Sequence, residues 1–154
     1  MQKILFVCTG NTCRSPMAQV FAQKLFDDEG IGFIADSAGV FAYDGDGASS
    51  NSIKCALVSG LSLDAHAAKR VSLENIEGAR LVVCLTISHE AHLLEAFPKY
   101  KEKITTFGEL CGNNEDISDP FGGSLEVYQN CAAQIKQCIE KIDWRAIYDS
   151  TWMR

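Results

Sequence analysis

The sequence has no apolar run long enough to span a membrane, which takes about 20 residues. It also lacks a secretory opening. Met1-Gln2-Lys3 leads straight into Ile4-Leu5-Phe6-Val7, too short for an export signal and without a small-residue cleavage pattern. No C-x-x-C pair occurs, and His66, His89 and His92 stand far from any cysteine pair, so the usual ligand spacings of a metal site are missing. Seven cysteines, an odd number in a chain without an export signal, do not read as a disulfide framework. Excess positive charge is absent too. Against 14 Lys and Arg stand 20 Asp and Glu, a net charge of -6, so binding to nucleic acid or an anionic membrane through bulk charge is not expected. No repeats, low-complexity segments or linkers break the pattern. What remains is the expectation of one cytoplasmic domain over residues 1–154 that uses no metal or cofactor, with 47% hydrophobic residues to build its core.

Short apolar runs alternate with amphipathic stretches. Ile4–Val7 predicts a buried parallel strand. Ser15-Pro16 then opens a helix with an apolar face of Met17, Val20, Phe21 and Leu25, stopped by Gly30. Further strands are predicted over 33–37, 81–85 and 104–107, and helical segments over 51–59, 72–78 and 88–96. Ser124 caps a long last helix whose inward stripe is expected at Val127, Cys131, Ile135, Cys138 and Ile142. Strands alternating with helices imply an α/β fold: a four-stranded parallel sheet between two helical layers. Ligands of such sheets bind beyond the carboxyl ends of the strands, where the loop after the first strand lies.

That loop is Cys8-Thr9-Gly10-Asn11-Thr12-Cys13-Arg14, followed by Ser15. A helix start presents unpaired N–H groups and a partial positive charge, which attract anions. Gly10 and Asn11 tolerate the backbone angles that turn N–H groups inward, and Arg14 adds a planar fork suited to two phosphate oxygens. The same groups favour a thiolate at Cys8 and make it a nucleophile toward bound phosphorus. Ser15 is placed to hydrogen-bond the sulfur. Asp119, before Pro120, is the candidate acid for a leaving group, although an Asp-Pro pair is also a common turn element.

The segment Val7–Ala18 (VCTGNTCRSPMA) resembles the low-molecular-weight protein tyrosine phosphatase family, as do Ser37-Ala38-Gly39 and Asp119-Pro120-Phe121 at the expected places in the chain. The resemblance implies that Cys8 is the nucleophile, Arg14 the phosphate clamp and Asp119 the general acid. Thr9, Gly10, Asn11, Thr12 and Cys13 would complete the phosphate loop, with Asn11 and Ser37 bracing it and Ser15 assisting the thiolate. It also implies a cysteinyl-phosphate intermediate, phosphorylated proteins as substrates, a monomeric chain and a reversible disulfide between Cys8 and Cys13. Family tyrosine phosphatases usually carry an aliphatic residue at Thr12 and tyrosine after the Asp-Pro pair. Thr12 and Phe121 instead look like the protein arginine phosphatase branch. A smaller, more polar wall suits a guanidinium, and Phe41 and Phe121 could flank one by cation–π contact, although Phe41 would serve equally as a loop anchor. Phosphotyrosine stays the alternative substrate. Gln19, where the family usually has glutamate, affects only a local hydrogen bond. Thioredoxin-linked arsenate reductases share this loop and fold but need a second cysteine about seven residues after one near the third strand. Here Cys84 is followed at that distance by Ala91, so the relay is missing.

Overall fold

The computed structural model describes residues 2–150. Four parallel strands, β1 (Gln2–Cys8), β2 (Phe33–Gly39), β3 (Ala79–Cys84) and β4 (Ile104–Thr106), form one sheet in the order β2-β1-β3-β4. Between them run α1 (Arg14–Glu29), α2 (Ser50–Val58), α3 (Leu73–Gly78) and α4 (Ile87–Ala96). After β4 come α5 (Phe107–Cys111), α6 (Leu125–Lys141) and α7 (Trp144–Asp149). No helix among the described residues is long and apolar enough to cross a membrane.

β1 is buried on both faces, as a central parallel strand must be. Ile4, Phe6 and Cys8 point into a core shared with α1, α6 and α7, while Leu5 and Val7 point into a second core with Ile76 and Leu93. The α/β sandwich read from the sequence is therefore present. The larger core is aromatic: Trp144 meets Phe6 and Phe26 edge-on at 6.2 and 5.2 Å. Its indole N–H donates to the Ile139 carbonyl at 2.9 Å, so no buried donor is left unpaired there.

Several local expectations change. The fourth strand stops at Thr106, because that side chain accepts the Glu109 N–H and starts α5 with Phe107. The inward stripe of α6 begins at Tyr128, not Val127, which is exposed; from Tyr128 it continues through Cys131, Ala132, Ile135, Cys138 and Ile139. Helix α7 was not foreseen. It is too short for a periodic signal and is held by the buried Trp144. Helix α1 starts at Arg14 without a side-chain cap, because the Ser15 hydroxyl is engaged elsewhere.

The ends of β1 and β2 fix the loop between β1 and α1. Beyond β2, the N–H groups of Val40 and Phe41 donate to the carbonyls of Cys8 and Thr9, each at 2.9 Å. Gly39 passes so close that a Cβ there would lie 2.5 Å from the Thr9 oxygen and 2.8 Å from the Asn11 nitrogen. Glycine at this position allows strand and loop to touch.

Candidate active site

The loop is folded around Asn11, which is fully buried and left-handed at φ 56°. Its amide Nδ2 donates to Ser15 Oγ at 2.8 Å and to Ser37 Oγ at 2.9 Å, and its Oδ1 accepts the Lys69 N–H at 3.0 Å. Ser37 in turn donates to Gln19 Oε1 at 2.6 Å, the local hydrogen bond in which Gln19 takes part. Ser15 Oγ lies 2.9 Å from Cys8 Sγ. Since Ser15 accepts from Asn11, its own proton is available to a thiolate at Cys8. Cys8 is 2% exposed, at the bottom of a cavity of about 230 Å³.

Arg14 is 4% exposed. Its Nη1 donates to the Ile117 carbonyl at 3.0 Å, and Nη2 reaches Thr9 Oγ1 at 3.5 Å and Asp119 Oδ2 at 3.8 Å. The Asp119 side chain is 57% exposed, so this pair contributes at most about 1 kcal/mol. The segment before Asp119 is held by other contacts. Gln134 donates to the Asp116 carbonyl at 2.9 Å and accepts the Ser118 N–H at 3.3 Å, and the Ile117 N–H donates to Leu85 at 2.9 Å. Asp119 thus sits at the free end of an anchored segment, on the cavity rim with the 79% exposed Phe121.

Thr9, Gly10, Thr12 and Cys13 line the same cavity. Phe41 does not; its ring faces His92 at 5.2 Å, with Arg70 5.9 Å from its centre. The Cys13 thiol contacts the Tyr128 hydroxyl at 3.3 Å, and burial, with Cys13 beside it, pushes that phenol up to about 12. Cys84 lies buried in the core on the far side of the sheet.

This strand–loop–helix arrangement is repeated in known proteins. Residues 3–147 match the model of the low molecular weight phosphotyrosine protein phosphatase family. The chain belongs to this family. It is 38% identical to a protein-arginine-phosphatase of Geobacillus stearothermophilus, over 91% of this chain and 93% of that one. A low molecular weight protein tyrosine phosphatase from T. tengcongensis superposes with a TM-score of 0.88 at 39% identity, covering 92% of this chain and 97% of the other. A YwlE arginine phosphatase, solved as a cysteine-to-serine mutant with a phosphorylated active-site serine, superposes with a TM-score of 0.92 at 30% identity, covering 98% of this chain and 99% of the other.

Two histidines that sequence reasoning left unassigned belong to the loop's support. His66 Nε2 donates to the Asn11 carbonyl at 2.7 Å; it sits in an irregular stretch with no local pattern to mark it. His89 is buried, with Nε2 2.9 Å from Thr9 Oγ1 and Nδ1 3.0 Å from Thr86 Oγ1. The spacing Thr86-x-x-His89, a helix cap with histidine three residues on, was the available signal. Burial and then the Arg14 charge lower the His89 pKa from 6.5 to about 4; Asp116 and Asp119 oppose them, and His92 adds to the lowering. The unfolded chain therefore binds this proton first, so the stability due to neutral His89 is complete above pH 6.5 and is lost as pH falls toward about 4. Thermal melts should show a decline over that window that is shallower in His89→Gln. Equal slopes for the two proteins would contradict the assignment.

Proposed function

We propose that this chain is a cysteine-dependent protein phosphatase acting on phosphoarginine, and that Thr12 sets the preference. The observation that carries this reading is a threonine, rather than an aliphatic residue, lining the cavity beside Cys8. A short hydroxylated wall leaves room and polarity for a guanidinium where an aliphatic wall would pack on a phenyl ring. The likeness to a protein-arginine-phosphatase supports it.

In the proposed reaction the Cys8 thiolate attacks phosphorus in line. The loop N–H groups from Thr9 to Arg14 and the Arg14 guanidinium hold the equatorial oxygens as their charge rises. Protonated Asp119 gives its proton to the departing guanidine nitrogen and leaves a cysteinyl-phosphate. The Ser15 hydroxyl stabilises the sulfur, first as thiolate and later as leaving group. Asp119, now a carboxylate, takes a proton from water, the water oxygen attacks phosphorus, and the S–P bond breaks to return thiolate and phosphate. Phe121 forms the outer wall of the pocket. Phe41 lies outside the cavity, against His92 and Arg70, and takes no part in that wall. We assign this activity to a monomeric, cytoplasmic chain with one phosphatase domain and phosphorylated proteins as partners. Phosphotyrosine is the second reading, favoured by the likeness to a protein tyrosine phosphatase at 39% identity.

Replacing Asp119 with Asn should lower kcat by about 10²–10⁴-fold while the substrate still binds. A rate within a few-fold of the parent would remove Asp119 as the acid. Turnover of phosphoarginine and phosphotyrosine peptides tests the substrate. Thr12→Ile should shift the ratio of kcat/KM values toward phosphotyrosine by about tenfold, the size expected for reshaping one pocket wall. An unchanged ratio would free Thr12 of that role.

A further inference from the structure

Cys111 and Cys138 lie with their sulfurs 3.1 Å apart, away from the phosphate cavity. Cys111 is the last residue of α5 and is half-buried; Cys138 faces inward from α6. Both are free thiols. We propose that these two cysteines form a reversible disulfide under two-electron oxidation by a peroxide, a redox site separate from Cys8 and Cys13.

Three features support it. First, a disulfide needs the sulfurs only about 1 Å closer, a movement within reach of side-chain rotation. Secondly, the two thiols differ in access. Burial, with Cys111 alongside, pushes the Cys138 thiol up to about 12, so the half-exposed Cys111 meets the oxidant first. Thirdly, the pair spans the segment that carries Asp119. Residues 112–123 leave from Cys111 and return into α6, where Gln134 already holds Asp116 and Ser118. A bond from Cys111 to Cys138 would tie the start of that segment to α6 and close residues 111–138 into one covalent loop around it.

The chemistry balances with peroxide as the only added reactant. Cys111 sulfur attacks one peroxide oxygen and gives up its thiol proton. An S–O bond forms, the O–O bond breaks, and the departing hydroxide takes up the thiol proton to become water. Cys111 is now a sulfenic acid, oxidised by two electrons. Cys138 sulfur then attacks it, the S–O bond breaks, and the hydroxide leaves with the Cys138 proton as a second water. A dithiol reverses the bond by exchange.

The test uses hydrogen peroxide on Cys8→Ser, which lacks the competing nucleophile, and on the wild-type chain, so that it does not depend on how the variant folds. Free thiols are alkylated and the protein is digested with trypsin without reduction. Cleavage after Lys103, Lys136 and Lys141 puts Cys111 and Cys138 on separate peptides, 104–136 and 137–141. Because Cys131 shares the first peptide, fragmentation must locate the bond. The expected result is a linked pair through Cys111 that holds most of Cys138, disappears with dithiothreitol, and accompanies a melting temperature several degrees higher. Fully alkylated Cys138, Cys111 driven to sulfinic acid, or a bond through Cys131 would overturn the site. A linked chain that melts no higher would overturn the stabilising role of the covalent loop.

Discussion

Asn11 holds the loop in shape. A residue with a Cβ in the left-handed region costs on the order of 1 kcal/mol or more, and here its four contacts offset that cost. Its side chain links Ser15, Ser37 and the Lys69 backbone, and its carbonyl takes the His66 proton. The contacts come from the adjacent start of α1, from β2 and from the stretch after α2, so two distant parts of the chain help to set one backbone angle. Each buried hydrogen bond contributes about 1 kcal/mol net, and an unsatisfied partner costs more than that, so the network keeps its shape as a unit. Cys8 and Arg14 are positioned by it without direct contact between them among the described hydrogen bonds. The Ser15 hydroxyl joins the network to the sulfur.

The electrostatics follow from that shape. Arg14 is a buried charge held by a carbonyl, a hydroxyl and a loosely placed carboxylate. Burying a guanidinium with partial pairing is unfavourable, and an anion in the adjoining cavity would relieve it. His89 remains neutral beside it and therefore adds no competing charge. Asp119 is anchored through its neighbours while its own side chain stays exposed, which is compatible with the proton-donor role proposed for it.

The parts of this design written in contiguous residues were legible from the sequence. Cys8–Ser15 carries the loop, its thiol, its guanidinium and the helix start in one stretch, and the apolar runs of β1 and β3 announce a parallel sheet. The supports were harder to read. His66 and His89 reach the loop across 55 and 80 residues, a separation that no local pattern encodes. Only the first position of the α6 stripe differs, because Tyr128 turns its ring inward and its hydroxyl to Cys13, leaving Val127 outside, while Cys131, Ile135, Cys138 and Ile142 are buried as expected. Phe41 could be placed in a loop but not oriented, since its direction depends on His92 and Arg70.

Rapid quenching of the wild-type enzyme during turnover of whichever phosphoarginine or phosphotyrosine peptide it hydrolyses tests the role of Cys8 most directly. Peptide mapping should then find phosphate bonded to the Cys8 sulfur, appearing before free phosphate reaches its steady rate and decaying as substrate is consumed. Phosphate release with Cys8 never modified, or with the phosphate on another residue, would contradict a cysteinyl-phosphate mechanism in this loop.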